Sequence, residues 1–368
     1  MRVALVIAGP YPALRGSQVL VRQLASGLAG RGHVVEMVTY GTRLRDRPGL
    51  HPARIALDVA LTVRLWRVVR RQAIDVIHAH NYEAAIAGLL VSRLTGRPVV
   101  YHGHSALAEE LPTYARGRIA RRLLGRVGRI LDAQVPRRAD FCVAVTEELG
   151  ALLRHAGVTP DDVVCIPPAG APDEMAPLGV RPTDGAEVCY AGNLDGYQNL
   201  DFLLRVFARV RAQVSRARLV VVTHEGRSGW DVPDGVDVVR VASYDEVRQR
   251  LEAADVAVCP RTEHSGFPMK LLNYMAAGKA IVASAGSAKG LADHVNGRVV
   301  RDGDAHAFAA AVVDLLRDAG QRERLGAAAR RCVEDPDAWN RVLDRMEGIY
   351  RRVVARGEAR IMPLAVTE

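Results

Sequence analysis

The sequence predicts an α/β protein with two parallel sheets, one in each half of the chain, facing each other across a cleft. Three observations predict this. First, apolar runs of strand length alternate with segments whose apolar residues recur at helical spacing, from Val3 almost to the end of the 368 residues. Second, this alternation breaks at 167–186, P-P-A-G-A-P-D-E-M-A-P-L-G-V-R-P-T-D-G-A, a segment rich in Pro, Gly and Ala with little periodicity. Third, residues 255–283 compress strand, loop, helix and strand into one stretch, D-V-A-V-C-P-R-T-E-H-S-G-F-P-M-K-L-L-N-Y-M-A-A-G-K-A-I-V-A. The organisation expected is an N-terminal domain over 1–170, a linker over 171–186, a C-terminal domain over 187–335, a last helix over 336–355 and a frayed tail over 356–368.

In the first half, Val3–Ala8 is a continuous apolar run, as a central parallel strand requires, and Gly9-Pro10-Tyr11-Pro12 ends it. A loop with Gly16 and Ser17 leads into a helix over 18–30. Val34–Tyr40 completes a βαβ unit that lacks G-x-G-x-x-G, so nicotinamide dinucleotide binding is not supported. Gly16-Ser17 leaves room for a diphosphate or a sugar, or forms a plain β–α turn. After a polar loop at 41–55 and a helix carrying Leu57, Leu61 and Leu65, the strand Ile74–Ala79 exits in His78, Ala79, His80 and Asn81. The strand Val99–Tyr101 exits in His102, Gly103, His104 and Ser105. Histidines at two strand exits of one sheet point at one crevice. A zinc pair is conceivable, but no third ligand stands at metal spacing. Asp140–Thr146 is the next strand, and Thr146 is placed to cap the helix that Glu147 and Glu148 begin.

Residues 111–138 hold eight arginines and one acid, Asp132. Ile119, Leu123, Val127, Ile130 and Leu131 share one helical stripe, with Arg118, Arg121, Arg122, Arg126 and Arg129 on other faces. Two readings stand: a helix that meets anionic lipid headgroups through 116–131, or an ordinary helix that packs its stripe on the core, which this arginine-biased chain favours.

The second half restarts at Val188. A strand exit at Cys189–Ala191 is followed by G-N-L-D-G-Y-Q-N-L, and strands over Leu219–Thr223 and Val238–Val241 flank a glycine-bearing loop at 226–235. In the 255–283 stretch, Pro260 ends the strand and a loop from Arg261 to Pro268 enters a helix with Lys270 in its first turn. Backbone N–H groups at such a helix start suit an anion, and Gly266 lets the backbone approach it. The chain has only three lysines, Lys270, Lys279 and Lys289, all within twenty residues of one another. A compact ammonium is thus retained in one region of a chain that otherwise uses arginine.

A net charge of +9 favours anionic partners, and 5% aromatic residues offer no stacking platform for nucleic acid. Five cysteines without a C-x-x-C pair read as reduced, buried thiols of a cytoplasmic protein. The N-terminal apolar run is too short for a signal peptide, and no run is long enough to span a membrane.

Taken together, the Pro10/Gly16-Ser17 loop, D-V-I-H-A-H at 75–80, His104-Ser105, P-R-R-A-D-F-C-V-A-V-T-E-E-L at 136–149, Y-A-G-N-L at 190–194 and G-F-P-M-K-L-L-N-Y-M-A-A-G-K at 266–279 resemble the large retaining glycosyltransferase family 4. The resemblance implies the GT-B fold: two Rossmann-like domains facing across a cleft, with a C-terminal helix crossing back to the N-terminal domain. It implies a nucleotide-sugar donor as substrate, a hydroxylated small-molecule, glycan or lipid-linked acceptor, and neither an essential metal nor another cofactor. It places Lys270 and the 266–270 backbone on the leaving diphosphate with Gly16, and His104 by the donor sugar. It places His80 toward the acceptor with Thr146 and Glu147, and Phe267, Pro268 and Leu271 around the nucleotide. Members typically carry two glutamates with seven residues between them across this loop and helix. Those slots hold Ser265 and Asn273 here, with Glu263 two residues early. An Arg and a Lys that often face the diphosphate are replaced by Asn193 and Gln198, while Arg261 stays at the strand exit. The alternatives are a sugar-nucleotide epimerase on the same fold and a non-catalytic binding subunit.

Overall fold

The computed structural model describes residues 1–13, 15–41, 53–115, 117–170, 178–179, 186–224 and 232–361, with residues 53 and 359–361 as backbone only. Most of the expected linker at 171–186, much of the loops at 41–55 and 226–235, Arg116 and the tail beyond 361 lie outside the described residues.

In the first half, β1 (Arg2–Ile7), β2 (Val34–Val38), β3 (Val76–His80), β4 (Val99–Gly103), β5 (Phe141–Ala144) and β6 (Val163–Cys165) form one sheet in the order β2-β1-β3-β4-β5-β6. In the second half, β7 (Glu187–Ala191), β8 (Arg218–Thr223), β9 (Val236–Arg240), β10 (Val256–Cys259), β11 (Ala280–Ser284) and β12 (Arg298–Val300) form another in the order β12-β11-β10-β7-β8-β9. Every pairing is parallel. Strand order therefore reverses between β1 and β3, and again between β7 and β10, the positions where open α/β sheets bind ligands.

The inner strands are almost wholly buried because helices cover both faces of each sheet, while the edge strands β2, β9 and β12 are partly exposed. They include α1 (Gly16–Gly30), α2 (Ala53–Arg71) and α3 (Asn81–Thr95) in the first half. Four buried cysteines, Cys142, Cys165, Cys189 and Cys259, are free thiols in or beside strands as expected, whereas Cys332 is exposed.

The last helix of the chain belongs to the first core. Trp339, Val342, Leu343, Met346, Ile349, Tyr350 and Val353 are buried among the residues of β1, β3 and β4. Each such side chain removed from water is worth about 1.5–3 kcal/mol, which is ample reason for the chain to return. Arg31 with Asp344 (2.5 Å) and Arg356 with Asp162 (2.6 Å) fasten its rim. This helix spans Ala338–Ile361, so it runs beyond the expected 336–355.

The helix α4 (Leu107–Glu110) and the arginine-rich α5 (Arg118–Gln134) hang at the β4 exit. Here the structure overturns the packing reading of the apolar stripe. Ile119 is 85% exposed, Leu123 and Ile130 61% each and Val127 39%, and only Leu131 packs on the core. The helix docks instead by its glycines. A Cβ at Gly128 would lie 2.5 Å from the Ala108 nitrogen, and one at Gly125 would touch Pro112. Asp132 then accepts from the Leu107 and Ala108 N–H groups at 2.9 and 3.0 Å and from the Tyr82 hydroxyl at 2.5 Å. The one acid of this segment thus satisfies donors that α4 leaves orphaned at its start.

Candidate functional site

The carboxyl ends of both sheets open on one cavity of about 330 Å³. Its first-half wall comes from the exits of β1, β3 and β4 and from α4. Its second-half wall comes from the exits of β7 to β10 and from the loop into α9 (Lys270–Ala276).

The first-half wall is backed by a column of four imidazoles. On a strand, residues i and i+2 share a face, so His78 and His80 point the same way. The register sets His80 opposite His102, and His104 continues that face beyond β4. Adjacent ring centroids lie 4.4 to 5.3 Å apart. His80 Nδ1 meets His104 Nε2 at 3.0 Å, His78 Nε2 meets His102 Nδ1 at 3.1 Å, and His78 Nδ1 meets the Tyr350 hydroxyl of the returning helix at 2.6 Å. Burial lowers all four pKa values, His78 to about 3 and His104 to about 4. The column is therefore neutral at physiological pH. Only His104 reaches the cavity; His80, expected toward the acceptor, lies fully buried behind it. The third histidine missing from the sequence reading does exist, since ligand atoms of His78, His80 and His102 lie within 4.8 Å of one another. Three of their six nitrogens make ring-to-ring hydrogen bonds and His78 Nδ1 meets Tyr350, while His80 Nε2 and His102 Nε2 are buried without a hydrogen-bond partner among the described residues.

The second-half wall holds a cation. Lys270 Nζ donates to Gln198 Oε1 at 2.7 Å and sits 3.9 Å from the centroid of the Tyr190 ring. It has no ion pair among the described residues, and burial lowers its pKa to about 8, so it is charged at neutral pH. Gly192, at φ 156°, gives it room: a Cβ there would stand 2.9 Å from Nζ. Arg261 instead pairs with Glu263 at 3.2 Å. Asn193 donates to the Tyr197 hydroxyl at 2.9 Å, and Asn273 accepts from Tyr244 at 2.5 Å. The other lysines do different work. Lys279 donates to the Glu252 and Ala254 carbonyls at the end of α8 (Tyr244–Ala253), and Lys289 pairs with Glu148 of the first half at 2.5 Å. The three lysines therefore do not form a single site.

Of the residues expected from the sequence, Gly16, Ser17, His104, Asn193, Gln198, Arg261, Ser265, Phe267, Pro268, Lys270 and Asn273 line the cavity. Leu271 does not, being fully buried in the second core. Gly266 serves packing, since a Cβ there would meet Arg261 at 2.4 Å and the His104 carbonyl at 3.0 Å. Glu147 projects outward, its side chain 77% exposed. Thr146 caps α6 (Glu147–His155), accepting from Leu149 N–H, while its hydroxyl donates to the Ser265 carbonyl at 2.7 Å. The α9 start offers fewer free donors than expected, because Leu271 and Leu272 N–H groups bond the Pro268 and Met269 carbonyls.

Sequence reasoning missed Arg15, whose guanidinium pairs with Asp195 across the cleft at 2.8 Å. It also missed Glu109, Glu110, Tyr114, Tyr197 and Tyr244 on the cavity wall. Glu109 and Glu110 follow the β4 exit within seven residues, at the carboxyl edge of the sheet where α/β proteins bind ligands.

Comparison with known proteins agrees with this architecture. The glycosyltransferase family 4 model matches residues 14–173, and the group 1 glycosyl transferases model matches residues 185–318. The D-inositol 3-phosphate glycosyltransferase of Stackebrandtia nassauensis is 27% identical, over 93% of this chain and 87% of its own. That of Kineococcus radiotolerans is 28% identical, over 92% and 91%. Sucrose-phosphate synthase from Thermosynechococcus elongatus superposes with a TM-score of 0.82 at 20% identity, covering 97% of this chain and all of that one. Anabaena HepE in complex with UDP-glucose superposes with 0.70 at 16% identity, covering 96% of this chain and all of that one. With both of its halves matched and two facing parallel sheets, the chain belongs to glycosyltransferase family 4 and has the GT-B fold.

Proposed function

We propose that the protein is a retaining, metal-independent glycosyltransferase that moves a sugar from a nucleoside-diphosphate sugar to a hydroxyl of a small-molecule, glycan or lipid-linked acceptor. The observation that carries this is Lys270, a charged ammonium without an ion-pair partner among the described residues, on the wall opposite His104. A diphosphate beside it supplies the counter-charge that the ammonium lacks, and its growing charge is stabilised as the sugar departs. The anomeric carbon–oxygen bond to the diphosphate breaks, the bond to the acceptor oxygen forms on the same face, and the departing diphosphate takes the acceptor proton. His104, neutral, offers a nitrogen to sugar hydroxyls without competing for the anion. HepE was solved with UDP-glucose, which makes uridine conjugates the first donors to try.

A thermal-shift panel of UDP, GDP and ADP with their hexose conjugates, without metal, tests this, because a ligand of the folded state raises the melting temperature by mass action. One base and its conjugates should stabilise the protein. No shift with any nucleotide sinks the reading, and epimerisation of a nucleotide-sugar without acceptor marks an epimerase instead.

The reading extends to a cytoplasmic enzyme held peripherally on an anionic membrane by α5. Its exposed Ile119, Leu123, Val127 and Ile130, flanked by Arg118, Arg121, Arg122, Arg126 and Arg129, support this. No helix among the described residues is long and apolar enough to cross a membrane. Sedimentation with phosphatidylglycerol vesicles at low salt, lost in Leu123→Ser/Ile130→Ser, is expected; equal recovery with neutral vesicles contradicts it.

A further inference from the structure

Four carboxylates line the cavity, those of Glu83, Glu109, Glu110 and Glu263, and their engagements differ. Glu263 is neutralised by Arg261 at 3.2 Å. Both oxygens of Glu110 are taken, one by the Ser105 hydroxyl at 2.8 Å and the other by the Tyr114 hydroxyl at 3.1 Å. Glu83 sits beside Arg54, 4.0 Å away, in the first turn of α3. Glu109 is different. One of its oxygens, Oε2, accepts from both the backbone N–H (3.1 Å) and the hydroxyl (2.8 Å) of Ser265, a residue of the opposite wall. The other oxygen has no hydrogen-bond partner among the described residues. The Ser265 hydroxyl also accepts from Ala106 N–H at 2.9 Å, so the serine is held as firmly as the carboxylate it holds.

The support behind Glu109 is rigid as well. The α4 backbone just before it is fastened by the two Asp132 hydrogen bonds and pressed on Gly128 of α5. The carboxylate is therefore oriented before any ligand arrives, and both it and Lys270 line the same cavity, with the anchor Ser265 in the loop that leads to Lys270. A group beyond the diphosphate at that place is hydroxylated, and a preset carboxylate oxygen in an enclosed cavity is a strong, geometrically selective acceptor for hydroxyl donors.

Resting on the donor reading above, we propose that Glu109 recognises the donor sugar: its free oxygen accepts from a hydroxyl of the transferred glycosyl unit, while its other oxygen is anchored across the cleft by Ser265. Because anchor and carboxylate come from opposite halves, sugar recognition requires the cleft to be closed.

The test is calorimetric titration of the full-length protein with UDP and with UDP-glucose, or with the diphosphate and hexosyl conjugate that the thermal-shift panel selects. The variants are Glu109→Gln and a relocation variant, Glu109→Ser with Ser265→Glu. The expected result for Glu109→Gln is unchanged affinity for the diphosphate and about a 10- to 100-fold loss for the sugar conjugate. The relocated carboxylate should restore most of that loss. Equal weakening of both ligands would make Glu109 a ribose or structural contact and overturn the proposal. Unchanged affinity for both would do the same, as would a relocation variant that binds the diphosphate normally but recovers nothing for the sugar. If the unmodified protein binds neither ligand, the donor reading itself fails and takes this proposal with it.

Discussion

The two walls of the cleft both take titratable nitrogen out of water and resolve the cost in opposite ways. The histidine column starts from a pKa of 6.5, and burial drives it to neutrality. Lys270 starts from 10.5, and the same effect leaves it at about 8, still charged. Desolvation disfavours the charged form on both sides. The starting value decides which group stays ionic. A neutral wall that can face hydroxyls and an ionic wall that can face phosphate therefore follow chiefly from residue type.

Removing the charge breaks this contrast most severely. Lys270→Met is expected to cost at least about 100-fold in diphosphate affinity, consistent with a buried charge-assisted contact, while raising the melting temperature of the ligand-free protein because an unpaired buried charge is gone. Calorimetry and a thermal melt check both halves of the statement.

Acidification attacks the other wall. Histidines whose folded pKa lies below the unfolded 6.5 bind fewer protons when folded. Their contribution to stability is therefore complete above pH 6.5 and lost as pH falls through the window toward about 4 and 3. Each proton of difference steepens that loss by about 1.4 kcal/mol per pH unit. Denaturant titrations at pH 7.5 and 5.5 should show a drop of several kcal/mol, and replacing His78 and His102 by apolar residues should flatten it.

Alkaline pH probes Lys270 from the opposite side. An anion favours the ammonium, so the complex holds a proton that the free protein releases above about pH 8. Diphosphate affinity should be flat below that value and fall by up to about tenfold per pH unit above it. A flat profile to pH 9.5 would show that Lys270 does not contact the anion.

The smallest effect sharpens the link between the column and the returning helix. Tyr350→Phe leaves His78 Nδ1 buried and unpaired, and should cost about 1–3 kcal/mol of stability while leaving diphosphate affinity intact.

Most strands and helices were legible because burial on both faces writes long apolar runs, and the strand exits placed eleven expected residues on the cavity. Contacts between distant segments were not legible. Glu109 meets Ser265 across 156 positions, and Arg15 meets Asp195 across 180, and no local pattern records which partner folding will supply. Leu271 misled because a helix that starts at a ligand site still turns one face into the core. The α5 stripe misled for the converse reason: apolar periodicity marks a face, but the glycines at 125 and 128 decide which face is pressed against the body.

The returning helix also bears on the order in which this molecule can be assembled. The second half, from β7 through α11 (Ala319–Arg331), is one contiguous segment with its own cores. The first half leaves the ribosome earlier yet lacks a wall of its core until residues 339–353 exist. At about 5–20 residues per second that interval is roughly 10–40 s. During it, the sheet face that waits for Tyr350 displays His78 and His102 rather than a purely hydrocarbon surface. Hydrated imidazoles resist non-specific association, so the same rings that end as a dry, neutral backing for the cleft first act as a temporary soluble coat for a half-built domain.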